Sequence, residues 1–226
     1  ASKLYSVLPT DGTGDFTTTR ASVATRVNEN GLIEEVASNV PRLDYSDGSC
    51  PSLLLEGIST NNLLYSEDFS NAVWIKNNVT VASNEIGVGG STDAWLLSKS
   101  STDAFIRQFI TTTGANTFSV YVKKGSLSWV RLFIASDTES SYVYVNLNNG
   151  STGTSSGSPT VKVVAMDNGW YRCIITKDTT NISNFRIYPA DADNDTSGTS
   201  GNIYIQNAQL EQKSHATSYI KTVGTT

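Results

Sequence analysis

The sequence predicts an all-β fold, a β-sandwich preceded by a short N-terminal β-hairpin segment. Three observations carry that prediction. Of the 226 residues, 38% are hydrophobic and only 16% charged, so much of the surface falls to Thr, Ser, Asn and Gly. These residues compete with helical hydrogen bonds and suit turns and strand surfaces. From about residue 61 onward, short runs alternating apolar and polar residues recur at regular spacing. Between them stand clusters of turn formers: VGGSTD, TTGAN, KKGS, SDTESS, NNGSTGTSSGS, MDNG and ADADNDTSGTSG. No convincing apolar stripe of helical period is present.

The first element is a hairpin. ASVATRV and GLIEEVA flank NENG, and Asn30-Gly31 is a strong hairpin signal. Pro41 then stops regular structure, and RLDYSDGSCPS adds further turn punctuation. Residues 1–60 are too short and too polar to bury a substantial core alone. They are expected to pack on the main domain, a neighbouring copy or another protein, and so form an attachment segment with a linker. Residues 61–226 form the sandwich. Strands are expected near 77–82, 94–99, 103–111, 116–123, 127–135, 141–147, 160–165, 170–177, 183–189 and 201–210, with a short helical turn in SNAVWIKNN.

Alternation assigns faces to these strands. Val120 and Val122 alternate with Tyr121; Val130, Leu132 and Ile134 with Trp129, Arg131 and Phe133; Val143 and Val145 with Tyr142 and Tyr144. Aliphatic faces point to the core. If the strands are neighbours, one sheet shows an outer face of aromatic rings with an arginine among them. Trp74 and Trp170 are read as structural.

Charge narrows the partners. The formal net charge is −5 and Lys and Arg are not clustered, which argues against nucleic acid and anionic membranes. No run of eighteen apolar residues is present to insert in a membrane, and ASKLYSVLPTDGTGDF has no signal-peptide core. Cys50 and Cys173 lie far apart; separate thiols, with Cys173 in a buried strand, are the preferred reading, and a disulfide needs the fold to bring them together.

At PSLLLEGISTNNLLYSEDFSNAVWIK, residues 51–76, the chain resembles a linker of bacteriophage tail and other virion proteins that leads into a jelly-roll domain. RASVATRVNENGLIEEVASNVPRLDY is similar to the lead-in of those proteins. NGWYR and IYIQNAQLEQKSHATSYIKT are similar to the late strands and ending of that domain. The resemblance covers residues 16 to 222. It implies a jelly-roll sandwich with NLLYSEDFS as its first strand, other virion proteins as partners, and a place on the exposed surface of the virion; repeated subunits usually close into rings, so a homo-oligomer is expected. The jelly roll is also similar to carbohydrate-binding modules that carry a calcium-ligating Asp. Here Ser70 stands where that family often has Glu, and Gln206 and Asn207 where it often has Asp. The anionic oxygens that calcium prefers are missing, so no metal or other cofactor is expected.

The chemistry of the remaining motifs points to binding rather than catalysis. His215 is the one histidine and no triad is evident. Glu34/Glu35 and Glu67/Asp68 are sequence neighbours, which point to opposite faces of a strand and make no acid–base pair. DADNDTSG has Thr196 and Asn202 where a calcium loop needs Gly and Glu. Tyr121, Trp129, Arg131, Tyr142 and Tyr144 remain. Sugars stack their C–H faces on such rings, and Arg serves their hydroxyls; the same residues also suit packing under the N-terminal segment or a subunit interface. Two functions follow: a phage virion structural subunit (tail, fibre or head decoration), and adhesion of its jelly roll to surface glycans. A purely structural subunit without a glycan ligand, and then a polysaccharide-degrading enzyme, are the alternatives.

Overall fold

The computed structural model describes residues 18–224; the stretch read as lacking a signal-peptide core lies outside them. Two compact units are present. One takes the chain as far as Ile58 together with Thr217–Ile220, and the other takes Ser59–Ala216 with the chain from Lys221.

In the first unit, β1 (Ala24–Val27) and β2 (Ile33–Val36) pair antiparallel with Val27 opposite Ile33. The hairpin exists, but its loop has five residues rather than a two-residue Asn-Gly turn. The side chain of Asn28 sets that length: its Oδ1 accepts from the amides of Asn30 (2.9 Å) and Leu32 (3.0 Å). Gly31 supplies the positive φ of 73°. A second small pair, β3 (Leu43–Asp44) with β4 (Ser52–Leu53), is absent from the sequence expectations. Polar contacts hold this unit. Arg42 donates to Thr25 O, Glu56 Oε2 (2.8 Å) and Ser218 Oγ (2.6 Å), and Thr25 Oγ1 donates to Tyr219 O. Leu55 of the LLLEG run is 80% exposed, and Ile58, which follows the run, 98%.

The second unit holds β5 (Ile75–Asn77), β6 (Val79–Glu85), β7 (Ala94–Lys99), β8 (Phe105–Lys124), β9 (Trp129–Ser136), β10 (Ser141–Asn146), β11 (Thr152–Ser156), β12 (Thr160–Ala165), β13 (Trp170–Ala190) and β14 (Gly201–Glu211). The ladder order is β11-β10-β9-β13-β8-β14-β7-β6, with β12 on β13 and β5 on β8. Two very long strands turn this ladder into a sandwich. The first half of β8 pairs with β5 and the second half of β13; the second half of β8 pairs with β14 and the first half of β13. Between the halves stand Gly114 (φ 76°) and Asn181 (φ 53°), and the β8–β13 register breaks around Ile182. Such bulges bend a strand without ending it. One layer is therefore β12-β13-β8-β14-β7-β6 and the other β11-β10-β9-β13-β8-β5, the shared strands crossing from layer to layer. This is the jelly-roll sandwich. Val143 and Val145 at one end of the ladder share a core with Val79 and Leu97 at the other, which a flat sheet does not allow.

NLLYSEDFS is not a strand. It lies within residues 61–74, which form turns and bends and no strand, because side chains rather than a ladder fix it. Leu63, Phe69 and Trp74 are buried. Asn61 accepts from the amides of Leu63 and Leu210 and donates to Ala208 O. Gln108, buried on β8, donates to Leu64 O (2.6 Å) and accepts from Leu64 N (3.1 Å). Gln108→Leu leaves both Leu64 groups without that partner. It is expected to cost about 1–2 kcal/mol in urea denaturation; an unchanged midpoint would show that the segment is held by its buried rings alone. Trp74 and Trp170 are both buried, as structural residues should be. Cys50 is exposed and Cys173 buried, each a free thiol, and burial pushes the Cys173 thiol up to about 12.

Candidate functional site

The outer surface of the β11-β10-β9-β13-β8-β5 layer is built by strand register. Core residues Leu132, Val143, Ile187 and Ile106 point inward, so their alternates point out. Arg131 lies opposite Tyr144 on β10 and Tyr188 on β13. One register step along, Phe133 lies opposite Tyr142 and Arg186, and Arg186 opposite Arg107 on β8. Trp129 lies opposite Asn146 and Ala190. Phe105 and Phe109 flank Arg107 on its own strand. The result is a checkerboard of guanidinium groups and aromatic rings across four strands.

Distances confirm the interleaving. The Arg131 guanidinium carbon lies 4.4 Å from the Tyr188 ring centre, 4.8 Å from Phe133, 4.8 Å from Tyr142 and 5.8 Å from Tyr144. Arg186 lies 4.9 Å from Phe133 and 5.0 Å from Phe105, and Arg107 4.3 Å from Phe109. Phe133 and Tyr142 stack with 7° between their planes, and Tyr142 meets Tyr144 edge-on at 90°. Each cation–ring contact contributes about 0.5–2 kcal/mol depending on its desolvation. The rings thereby clamp long arginine side chains that would otherwise be mobile.

Four of the five residues singled out in the sequence, Trp129, Arg131, Tyr142 and Tyr144, come together on this face. Tyr121 does not. It sits on the second half of β8, opposite Arg172 and Gln206, on the outer surface of the other layer, because β8 crosses between layers before reaching it. Tyr121 is 4% exposed, and Arg172 lies 5.5 Å from its ring. Tyr144 is on the right face but only 3% exposed, so its ring supports Tyr142 and Arg131 instead of offering a stacking surface. Burial raises its hydroxyl above the ordinary tyrosine range, while the charge of Arg131 and hydrogen bonding to it pull the other way. Trp129, Phe133 and Tyr142 are partly buried, each keeping some exposed surface. Phe105, Arg107, Phe109, Arg186 and Tyr188 were not anticipated. The signal was present: FIRQF and NFRIY show the same alternation of ring and arginine as WVRLF.

Neighbouring loops frame the face. Gly153 on β11 lies so close to the Asp193 carboxylate and the Trp129 ring that a Cβ there would collide with both. Asp193 accepts from the amide and hydroxyl of Thr154. Asp191 pairs with Lys99 (2.5 Å) and accepts from Gly198 N. The DADNDTSG loop thus spends its carboxylates on protein donors. Beyond Phe109, which is 56% exposed, a hollow of about 460 Å³ is lined by Leu64, Val73, Ile75 and Gln108 among others.

The remaining candidates are scattered. His215 is exposed. Glu34 pairs with Arg26 and Glu67 with Lys221. Asp93 is shifted upward by desolvation, with the charge of Glu67 adding to it. No group of three or more His, Cys, Asp or Glu is arranged to hold a metal ion among the described residues. At the positions where the resemblance puts calcium ligands, Gln206 accepts from Val88 N (2.7 Å) and Asn207 Oδ1 is buried without a hydrogen-bond partner; this donor set is no anionic cage. No helix among the described residues is long and apolar enough to cross a membrane.

No family model and no curated protein matches the chain. Among solved structures it is similar to the CBM22-1 and GH10 modules of Clostridium thermocellum endo-1,4-beta-D-xylanase 10B complexed with xylohexaose. That similarity has 11% identity and a TM-score of 0.40, and covers 69% of this chain. The chain spans 28% of the length of that structure.

Proposed function

We propose that the protein is a structural subunit of a bacteriophage virion, in the tail, a fibre or the head decoration, whose jelly roll adheres to surface glycans through the ring-and-arginine face. The observation that carries the adhesive part is the Arg131 cluster, in which one guanidinium is clamped by four rings while Phe133 and Tyr142, beside Trp129, keep part of their surface exposed. Partly exposed rings suit the C–H faces of sugars, and fixed guanidinium and amide groups suit their hydroxyls. The assembly part is supported by the resemblance of residues 51–76 to virion linkers and by the open Leu55 and Ile58, which a neighbouring virion protein or a second copy would cover. In that role the protein is a homo-oligomer on the exposed surface of the particle, and many weak contacts add up by multivalency. Binding without catalysis suits a face whose rows contain rings, guanidiniums and amides. A purely structural subunit is the second reading, favoured by the deep burial of Tyr144 and Tyr188.

A glycan-array screen of the bead-clustered protein tests this, with Trp129→Ala and Tyr142→Ala alongside. Both variants are expected to keep the wild-type circular dichroism and to lose binding about tenfold or more, since each removed stacking contact is worth on the order of 1 kcal/mol and acts at every copy. Absence of binding by the clustered wild type would leave the purely structural subunit.

A further inference from the structure

The face places like charges side by side. Arg107 and Arg186 are direct cross-strand partners, and Arg131 lies diagonally beyond Arg186, opposite Tyr188. Like charges directly opposite destabilise a sheet. None of the three is found in an ion pair among the described residues, where carboxylates pair instead with Arg26, Arg42, Lys99, Lys177 and Lys221. The Nε atoms of Arg107 and Arg131 are buried without a hydrogen-bond partner. Arg186 is aimed by Asn184 Oδ1 (2.6 Å) and the Tyr188 hydroxyl (3.0 Å). Three guanidiniums without a close ion-pair partner thus line up on a protein whose formal net charge is −5. Charge complementarity asks for an anion, and the flanking rings ask for a sugar.

We propose that this face binds an acidic polysaccharide. Carboxylate or sulfate groups would sit on Arg107, Arg186 and Arg131, while sugar rings stack on Trp129, Phe133 and Tyr142. The inference rests on the adhesion reading and adds the chemical class of the ligand. Neutral hydroxyls are served as well by Asn or Asp, whereas a guanidinium fork matches an oxyanion with two parallel hydrogen bonds. A row of three such forks on adjacent strands suits a polymer with a charge on every sugar or every second one.

The test measures retention of the full-length protein on two matched pairs: polygalacturonate against its carboxyl-reduced form, and dextran sulfate against dextran. Preference for polygalacturonate alone identifies a carboxylate ligand, and for dextran sulfate alone a sulfated one. We expect the charged member of at least one pair to bind about tenfold more tightly, and that preference to fade as salt rises from about 50 to about 500 mM. Arg107→Gln and Arg131→Gln should each abolish most of the preference. If Arg131→Gln unfolds because of its packing, Arg107→Gln, beside the exposed Phe109, decides alone. Equal retention of charged and neutral members overturns the acidic class and leaves adhesion standing; no retention of any glycan sinks both. Duplex DNA held as tightly as the charged glycan, with Trp129→Ala harmless, would make the face a general polyanion surface and overturn the proposal. So would self-association that Arg107→Gln abolishes with no glycan bound.

Discussion

Phe185→Ala is expected to destabilise the jelly roll by about 3–5 kcal/mol, the range for removing a buried phenylalanine. Phe185 is fully buried on the second half of β13, and its ring centre lies 5.6 Å from that of Phe118, on the second half of β8. Those two half-strands belong to different layers, so the ring pair spans the sandwich next to the point where both long strands cross over. Its removal leaves a cavity bounded by two bent strands, which have little freedom to collapse into it. Urea denaturation followed by tryptophan fluorescence measures the loss. Phe185→Leu, which keeps most of the volume, should cost well under half as much. A loss below about 1 kcal/mol for the alanine variant would mean that the two layers do not depend on each other at this point, and the folded-over ladder would need another explanation.

The same crossing explains what could and could not be seen in the sequence. Strands 94–99 and 160–165 have the bounds that alternation predicts, and 141–146 and 201–211 differ by a residue. Alternation also placed Val130, Leu132, Ile134, Val143 and Val145 in the core. What failed was continuity. TTGAN reads as a turn, yet Gly114 and Ala115 remain paired with Thr179 and Asp178 inside β8. Turn propensity is local; the ladder that overrides it is formed by residues more than sixty positions away. NNGSTGTSSGS also reads as a loop, but Thr152–Ser156 becomes the edge strand β11, held by β10 and by Asp193. NLLYSEDFS failed in the opposite sense, an apolar run whose burial is real and whose backbone is irregular.

The candidate site was legible by strand and illegible by layer. Trp129, Arg131 and Tyr142 were readable because β9 and β10 are consecutive and form a hairpin, so alternation and neighbourhood agree. Tyr121 looked equivalent on its own strand and is not, because no local signal says which half of β8 belongs to which layer. Arg107 and Arg186 come from strands about eighty residues apart and meet directly. Each carried the ring–arginine alternation, but only the register of β13 between β8 and β9 turns three separate alternations into one face.

In the first unit the decisive interaction is polar. Glu56→Gln is expected to loosen that unit by about 2–4 kcal/mol, below the full range for breaking a buried ion pair because Glu56 keeps some solvent contact. Arg42 is 8% exposed, and without the carboxylate its charge stays buried with neutral partners only. Glu56 also fixes the returning segment: Oε1 accepts from Ser218 N (2.7 Å) and Oε2 from Ser218 Oγ (2.6 Å). Burial alone would raise the Glu56 carboxyl, but the hydrogen bonds from Ser218 and Arg42 and the charge of Arg42 outweigh it, and the net shift is downward. A folded value below the unfolded one of about 4.3 gives stability that is complete above that pH and fades as pH falls through the folded value. The gap between wild type and Glu56→Gln should therefore be widest near neutrality and close in acid, as the wild-type carboxyl itself becomes neutral. Hydrogen exchange at the amides of Ala24–Val27 and of Ser218 reads this unit without the jelly roll. A gap that stays constant from neutrality down to about pH 3 would remove the ionised carboxylate from the account. Arg42→Met combined with Glu56→Gln should recover part of the loss, because removing both charges costs less than stranding one.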